Sequence, residues 1–441
     1  QLITSGAAGL QNIAHRTPAS PTSVFRIASM SKSFTAMAIV KLRDDGQLQL
    51  DQPAQHYVPE LSALRYPTRD SAPITVRHLL TMGAGFPQDD PWADRQLGLP
   101  EPDFTALLGE GISFSNPPGW KYEYSNYGYA ILGRIITNVS GLPYQTYITR
   151  NILQPLGMTD TTYDIARVDP ARLAMGYRRE GDGWAEEPPL PDGTFGSMGG
   201  LFTTVTDFAR YMTFLLSAFP ARDDADDGPV RRSSLREMQQ PWRQRGLASF
   251  RTAPDQPAFT FADGYGYGLG CGTDSQLGYS VAHGGGLPGY GTFYRLLPDR
   301  AAGVVVLTNI TYAGAARCVD DIFLALKNTG SLPTRALPVT PALREVQTAL
   351  TNLYQHWDDS AARAIATETF FQDMPLEQRR QQFAALRASI GPYSATTPAQ
   401  PENALRARWR IIGQRGHIEL FATLAPTVPP RLQYLELTAA R

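Results

Sequence analysis

The apolar positions after Ser29 recur three or four residues apart, as they do on one face of a helix. They are Phe34, Met37, Ala38 and Leu42. This spacing predicts a helix over residues 29–45, and Gly46 suits the position just after its last turn. Ser29 and Lys32 are one turn apart on that helix, so a hydroxyl group and an amine share one face.

The pattern changes along the rest of the chain. Residues 1–13 predict two short strands, the first at 2–4. From about residue 61 to 264 the pattern is mainly helical, whereas 86–101 is typical of a surface loop and 196–201 of a tight, flexible turn. The helices predicted there cover 74–81, 129–139, 144–152 and 206–219. Alternation then predicts strands at 265–270, 279–283, 291–297 and 303–309, and a helix follows at 315–327. Because strands occur at both ends, we expect the first and the last to share one sheet.

A segment with three prolines, 328–341, predicts a linker. Beyond it, helical patterns cover 341–366 and 375–389, and strand patterns cover 405–412, 417–424 and 431–437. About 100 residues of mixed helix and strand are enough for a separate core. Residues 342–441 are therefore predicted to form a small α+β domain, in which we interpret His356, Trp357 and His417 as structural.

Composition narrows the function classes. The 441 residues carry a net charge of −1, which favours neither nucleic acid nor an anionic membrane as a partner. No apolar run of about 18 residues predicts a membrane span. The two cysteines, Cys271 and Cys318, predict buried free thiols rather than a disulfide framework. No His-Glu-x-x-His, Gly-x-Ser-x-Gly or nucleotide-binding motif is present, so we expect no metal and no cofactor.

Ser29-x-x-Lys32 is by itself a weak signal, because a helix cap followed by a solvated lysine has the same pattern. Lysine is scarce in this chain, with four lysines against 36 arginines, which makes an incidental lysine at this position less common. Two further segments give the pair a context. They are Tyr124-Ser125-Asn126 and His283-Gly284-Gly285.

In this order the three segments resemble the serine β-lactamase and penicillin-binding-protein superfamily, and within it the class C-like esterases and peptidases. That superfamily carries Ser-x-x-Lys, then Tyr-x-Asn, then Lys-Thr-Gly or His-x-Gly. The stretches 25–29, 74–81 and 283–289 support the resemblance, which covers roughly residues 1–327. It implies an α/β (α+β) serine β-lactamase-like fold, with an antiparallel sheet flanked by helices and a mainly helical subdomain at about 61–264.

The resemblance also assigns roles. Ser29 is implied as the nucleophile, and Lys32 as the base that accepts its proton. Tyr124 is implied either to relay that proton to the leaving group or to act as a phenolate base. Asn126 is implied to bind a substrate amide or to hold Lys32. In the third motif, His283 occupies the position of the family's lysine, and we expect it to be a weaker and titratable cation.

The glycines of the third segment complete the implied site. Gly285 and Gly286 let substrate lie against a strand edge, and the N–H groups of Ser29 and Gly286 are implied to form the oxyanion hole. The resemblance further implies a helix and a strand before the segment matching residues 2–9. The sequence begins almost on that strand, so either residues precede it or the protein is processed.

We expect a serine hydrolase that forms an acyl-enzyme on Ser29 with small esters, amides or short peptides. It would be a carboxylesterase or a D-stereospecific peptidase, with weak or no β-lactamase activity because His283 replaces lysine. An acyltransferase or transpeptidase, and a β-lactam or peptide sensor without turnover, are the alternatives. The domain at 342–441, cystatin-like or lipocalin-like, is expected to shape access to the cleft. The oligomeric state and the compartment, whether periplasm, secreted or cytoplasm, stay open.

Overall fold

A computed structural model describes residues 1–251, 253, 255 and 257–440. The chain divides into two compact units, Gln1–Pro333 and Thr334–Arg441. None of the helices in the described ranges combines the length and the apolar character that crossing a membrane requires.

The first unit combines helices with a large antiparallel sheet. Its helices are α1 (Lys32–Asp44), α2 (Val76–Leu80), α3 (Glu101–Glu110), α4 (Asn126–Ser140), α5 (Tyr144–Ile148), α6 (Gly196–Gly199), α7 (Val205–Leu216), α8 (Arg232–Met238) and α9 (Ala315–Asn328). Its strands are β1 (Leu10–Asn12), β2 (Thr17–Pro18), β3 (Phe25–Arg26), β4 (Tyr177–Glu180), β5 (Gly183–Glu186), β6 (Phe202–Thr203), β7 (Arg243–Phe250), β8 (Phe259–Tyr265), β9 (Gly270–Asp274), β10 (Gly278–Leu287), β11 (Tyr290–Leu297) and β12 (Ala302–Thr308).

The main sheet lies between two helical layers. Its order is β12-β11-β10-β9-β8-β7, so each strand pairs with its neighbour in the sequence. On one face, α9 buries Val319 and Phe323 against the sheet. On the other face, the ring of Phe208 in α7 lies 4.9 Å from that of Tyr294 in β11. This packing confirms the predicted sheet flanked by helices.

Helix α1 is the centre of the first unit. Its residues from Lys32 to Val40 are all buried, so it packs on every side rather than along one stripe. A buried hydroxyl needs a partner, and Thr35 finds one by donating to the Ser197 carbonyl oxygen at 2.6 Å. The predicted helix is confirmed, with a 3₁₀ turn at Ala28–Ser31 before it and Gly46 at φ +75° after it.

The N-terminal strands do not join the main sheet, contrary to the prediction. Strands β1 and β2 pair with each other in a sheet of their own, and residues 2–4 form no strand. The side chain of Asn309 links the N-terminal segment to the end of the main sheet instead. Asn309, which follows β12, donates through Nδ2 to the carbonyl oxygens of Leu10 at 3.1 Å and Met175 at 2.9 Å.

The helical region is shorter than predicted. The stretch 61–264 contains the hairpin β4–β5, which forms a sheet of its own. It also contains strand β7 and most of strand β8, and both of these strands belong to the main sheet. Strand β7 is largely exposed on both faces, so its sequence lacks the apolar alternation that marks a half-buried strand. The predicted flexible turn at 196–201 is the buried helix α6. The predicted helix at 144–152 is α5, continued by a π-helical turn, Thr149–Leu153.

The cysteine prediction is half right. Both thiols are free, but only Cys271 is buried, whereas Cys318 is exposed. Cys318 lies on α9, and the residues that α9 buries against the sheet are on its other side, including Val319 and Phe323.

The second unit has α+β architecture. Its helices are α10 (Pro341–Gln355), α11 (Asp359–Ile365), α12 (Phe370–Asp373) and α13 (Leu376–Ile390), and its strands are β13 (Tyr393–Thr396), β14 (Gln400–Asn403), β15 (Arg406–Gly413), β16 (Gly416–Leu424) and β17 (Leu432–Ala440). The strand order β13-β15-β16-β17, with β14 also on β15, is that of an open sheet. Trp357 packs 5.1 Å from the ring of Phe383.

Candidate active site

Ser29 opens onto a cavity of about 870 Å³. It lies in the 3₁₀ turn before α1 and is only 8% exposed. The residue before it, Ala28, has φ +50°, a left-handed conformation that residues with a Cβ atom seldom adopt. Strain of this kind persists where surrounding packing fixes the backbone, and Ala28 is completely buried. The fold thus holds the Ser29 backbone in one geometry.

Lys32 is the only lysine of the first unit's described residues that is completely buried. Its Nζ lies 2.9 Å from Ser29 Oγ, 2.6 Å from Asn126 Oδ1 and 2.9 Å from the Met198 carbonyl oxygen. Burial lowers the pKa of Lys32 to about 8, against the attraction of nearby aspartates. A neutral amine has two N–H donors and one lone pair. It can therefore donate to Asn126 and Met198 while accepting from the Ser29 hydroxyl.

The loop before α3 fixes Asn126. The Asp89 carboxylate accepts hydrogen bonds from the backbone N–H groups of Asn126 at 2.8 Å and Tyr127 at 2.7 Å, at the first turn of α4. The carboxylate of Asp90 accepts from Asn126 Nδ2, which leaves Asn126 Oδ1 for Lys32. The predicted surface loop at 86–101 is therefore part of the site. Its aspartates gave no motif that spacing alone identifies.

Tyr124 lies beside both Lys32 and His283. Its ring is 4.9 Å from Lys32 Nζ, and its centroid is 6.4 Å from that of His283. Burial raises the pKa of Tyr124 well above its usual value, although a hydrogen bond with Ser29 opposes this. The side chain is thus a neutral phenol, which can donate a proton but is a poor source of phenolate.

His283 is not a cation, contrary to the prediction. Its Nδ1 lies 2.6 Å from the Gly284 carbonyl oxygen, which can only accept, so Nδ1 carries the proton. Its Nε2 then accepts from the Tyr265 hydroxyl at 2.9 Å. Burial, together with the charges of Lys32 and Arg245, lowers the pKa of His283 to about 3. The ring is neutral across the physiological range.

Two glycines let β10 approach Ser29. A Cβ atom at Gly285 would lie 2.2 Å from the Ile27 carbonyl oxygen, and one at Gly286 would lie 2.7 Å from the ring of Tyr312. Pairing of β10 with β9 stops at Ala282, whereas pairing with β11 continues to Leu287. In the described part of the chain, residues 283–287 therefore have a sheet partner on one edge, and the other edge faces the site.

The sequence did not predict three of the residues that line the cavity. Asp94 is 2% exposed, Tyr312 donates to it at 2.8 Å, and Arg245 brings a permanent positive charge. Arg245 lies 3.5 Å from the Asp263 carboxylate and 5.1 Å above the ring of Tyr122. These residues lie far apart in the sequence. The described residues contain no group of His, Cys, Asp and Glu arranged to hold a metal.

Residues 1–329 match the family described as Beta-lactamase. The chain belongs to this family, whose proteins are serine hydrolases. The predicted fold and enzyme class are thereby confirmed. The order Ser29, Lys32, Tyr124 and His283 follows the family's motifs. The structure brings Ser29, Tyr124 and His283 to one cavity, and the buried Lys32 contacts Ser29 Oγ at 2.9 Å.

Two relatives show how similar this chain is to other proteins, and how much of their length it covers. Protein flp of Staphylococcus aureus (strain NCTC 8325 / PS 47) is 28% identical over 323 residues, or 73% of this chain and 59% of that protein. This chain thus spans 59% of the length of that relative. The D-alanyl-D-alanine-carboxypeptidase/endopeptidase AmpH of Escherichia coli (strain K12) is 29% identical over 292 residues, or 65% of this chain and 70% of that protein.

A solved structure resembles both units. The octameric penicillin-binding protein homologue from Pyrococcus abyssi has a TM-score of 0.63 and 21% identity, and the match covers 100% of this chain and 92% of that one. At this identity the likeness concerns the fold alone.

Proposed function

We propose that this hydrolase cleaves small esters or amides through a covalent acyl-enzyme on Ser29. The observation that carries the proposal is the 2.9 Å contact between Ser29 Oγ and the buried amine of Lys32. With a pKa of about 8, about one in ten Lys32 side chains is neutral at pH 7. That fraction supplies the base that a serine hydroxyl needs to become a nucleophile.

Acylation moves one proton and exchanges one bond. Ser29 Oγ forms a bond to the substrate carbonyl carbon while its proton passes to Lys32 Nζ. The bond to the leaving group then breaks, and the leaving group takes up the proton. The neutral phenol of Tyr124, beside Lys32, suits the relay of that proton better than the phenolate-base alternative, because burial opposes its ionisation.

The carbonyl oxygen develops negative charge in this step. The backbone N–H groups of Ser29 and Gly286 are proposed to bind it, since β10 approaches the Ser29 turn closely at Gly285. Water then attacks the acyl-enzyme and releases the acid. His283 holds the edge of β10 as a neutral, doubly hydrogen-bonded ring rather than as a cation.

Esters and peptides with D-amino acids are the proposed substrates, with weak or no turnover of β-lactams. The relative AmpH is named as a D-alanyl-D-alanine peptidase, which supports the peptide branch. The neutral state of His283 is an argument for weak turnover of β-lactams, since the ring offers no positive charge to a β-lactam carboxylate.

Intact mass spectrometry within seconds of adding p-nitrophenyl acetate tests the proposal. We expect one acetyl increment on the native protein and none on Ser29→Ala. The matched control is Ser33→Ala, in the same helix, whose hydroxyl donates to the Met30 carbonyl oxygen and should not alter labelling. Labelling of Ser29→Ala, or the absence of labelling in all three proteins, contradicts the proposal.

The decay of the acetyl-enzyme separates hydrolysis from the alternatives. Rapid loss to acetate indicates a hydrolase, and transfer to an added amine or alcohol indicates an acyltransferase. An increment that persists for hours indicates a sensor without turnover.

A further inference from the structure

The proposed reaction depends on where the lone pair of the Lys32 amine points. Three oxygen atoms lie within hydrogen-bond distance of Lys32 Nζ: Ser29 Oγ at 2.9 Å, Asn126 Oδ1 at 2.6 Å and the Met198 carbonyl oxygen at 2.9 Å. A neutral amine has two N–H donors and one lone pair for these three partners. The lone pair therefore reaches Ser29 only if the other two partners take both N–H groups.

The orientation of the Asn126 amide decides whether this condition is met. A carbonyl oxygen can only accept a hydrogen bond, so Met198 always takes an N–H group of Lys32. The side-chain amide of Asn126 carries both an acceptor, Oδ1, and a donor, Nδ2, and a half-turn about its last bond exchanges them. With Nδ2 toward Lys32, the amide would donate to the lone pair, and Ser29 would lose its base.

Asp90 opposes this exchange. It accepts a hydrogen bond from Asn126 Nδ2, while Oδ1 of the same amide accepts from Lys32. A carboxylate has no proton to donate, so a turned amide would place two acceptors against each other. Asn126 is completely buried, and the lost hydrogen bond would not be replaced by bulk water.

The loop that carries Asp90 is itself held by Asn126. The neighbouring Asp89 accepts from the Asn126 backbone N–H at 2.8 Å, so two consecutive aspartates bind the backbone and the side chain of one asparagine. Asp90 is exposed and lines the cavity, where its Oδ2 lies 3.4 Å from Gln88 Nε2. A substitution of Asp90 therefore removes no buried packing.

We propose, building on the acyl-enzyme function above, that Asp90 is a positioning residue for acylation: it holds the Asn126 amide in one orientation and thereby points the Lys32 lone pair at Ser29. The contacts run from Asp90 through Asn126 and Lys32 to Ser29, and each member orients the next. Asp90 acts through this chain and not on the reacting atoms. A base oriented by a third group is the arrangement that activates a serine nucleophile.

The charge of Asp90 gives the proposal a directional test. Burial lowers the pKa of Lys32 to about 8, and the charges of Asp90, Asp94 and Asp89 oppose this. Without Asp90 the pKa of Lys32 should fall further, because a negative charge is lost and because a turned amide stabilises the neutral amine. Damage that lets water reach Lys32 would instead raise its pKa toward the ordinary value of 10.5.

Other titratable groups also face Lys32. Among the described residues they are Asp89 and Asp94 in the loop before α3, Tyr124 just before α4, Tyr129 in α4 and His283 in β10. Burial raises the pKa values of both aspartates, that of Asp94 to about 6, and lowers the pKa of His283 to about 3. Burial raises the pKa values of both tyrosines far above their usual range. A step in activity near pH 8 therefore reports Lys32.

Asp90→Ala is tested with p-nitrophenyl acetate, an uncharged ester whose binding does not require a charge in the cavity. The kcat/KM is followed across the titration of Lys32. We expect its plateau at high pH to fall roughly ten- to hundredfold, as for the loss of a hydrogen bond to a charged group. The apparent pKa should fall below about 8. Asp90→Asn, which has the same shape without the charge, should lower the apparent pKa in the same direction.

A double substitution shows whether Asp90 acts through the amide. Asn126→Ala leaves no amide to orient, so removing Asp90 in that background should change the plateau less than about threefold. Asp103→Ala is the matched control. Asp103 is an exposed aspartate in the first turn of α3, outside the cavity, and its loss should leave both the plateau and the apparent pKa unchanged.

Three results overturn the role of Asp90. They are a native plateau in Asp90→Ala, an apparent pKa that stays or rises in either Asp90 variant, and an equally large loss in the Asn126→Ala background. Labelling of the native protein by p-nitrophenyl acetate separates this inference from the proposed function. Labelled Ser29 together with any of these results leaves the acyl-enzyme standing, whereas the absence of labelling overturns both.

Discussion

The Tyr265 hydroxyl lies 2.9 Å from Nε2 of His283 and is the donor for that buried nitrogen. His283 is in turn locked to its own strand through the Gly284 carbonyl oxygen. The histidine of the third motif therefore helps to define the shape of the site and does not supply its charge. A substitution of Tyr265 therefore tests the role of this hydrogen bond as directly as a substitution of His283 itself.

Replacing Tyr265 with phenylalanine should lower the free energy of unfolding by roughly 1–3 kcal/mol, because it leaves a buried acceptor without a donor. Thermal or urea unfolding measures the loss. Tyr127→Phe is the control, since the Tyr127 hydroxyl is buried without a partner among the described residues and should cost less than about 0.5 kcal/mol. Equal losses in the two variants would contradict the hydrogen bond to His283.

The pH profile should follow Lys32. Only neutral Lys32 accepts the serine proton, so kcat/KM for a neutral ester should rise with pH up to an apparent pKa of about 8. His283, with a pKa of about 3, should add no step near its ordinary pKa of 6.5. A profile that rises around pH 6.5 and persists in Lys32 variants would instead identify a histidine as the base.

Lys32→Arg should slow acylation roughly 10²- to 10⁴-fold, because a guanidinium group does not lose its proton and cannot act as a base. Pre-steady-state release of p-nitrophenol measures this rate. Lys41→Arg changes the same residue type in the same helix, where Lys41 pairs with Asp45 at 3.1 Å near the surface. That variant should acylate at the native rate, and a comparable defect in both would point to damage to α1 as a whole.

Gly285→Ala should abolish most activity. The added Cβ atom would meet the Ile27 carbonyl oxygen at 2.2 Å and the Thr292 hydroxyl at 2.3 Å, so β10 must move away from the Ser29 turn. Gly246→Ala, in β7, meets nothing within 4 Å and is the control. Comparing kcat with unfolding midpoints tests this. Native kcat in a folded Gly285→Ala protein would show that the close approach is not needed.

Asp89→Ala should cost about 1–2 kcal/mol of stability, as expected for the loss of a helix cap. It should also slow acylation, because Asn126 at the first turn of α4 loses the acceptor of its backbone N–H. Circular dichroism melts and the rate of acetyl-enzyme formation measure the two effects. Asp103→Ala, in the first turn of α3, should lower acylation far less. A stability loss with a native acylation rate would separate Asp89 from the site.

The sequence by itself determined the local parts of this protein. The spacing after Ser29 specifies a helix, and the same spacing places the hydroxyl of Ser29 one turn from the amine of Lys32. The ordered motifs also identified the family, because proteins that share one fold keep the residues of a common site in the same order along the chain. Predicted strands at 279–283, 291–297 and 303–309 correspond to β10, β11 and β12, whose alternation is visible in the sequence.

Tertiary structure decided which of these residues carry charge and which segments line the site. A pKa depends on burial and on neighbours that are distant in sequence, so the neutral state of His283 follows from its burial together with the charges of Lys32 and Arg245. In the sequence, the aspartates of 86–101 are indistinguishable from those of an ordinary surface loop. They become part of the site only because this loop packs beside the start of α4. Long-range packing, not local spacing, sets the dielectric environment and the hydrogen-bond partners of a buried group, and these quantities determine its chemistry.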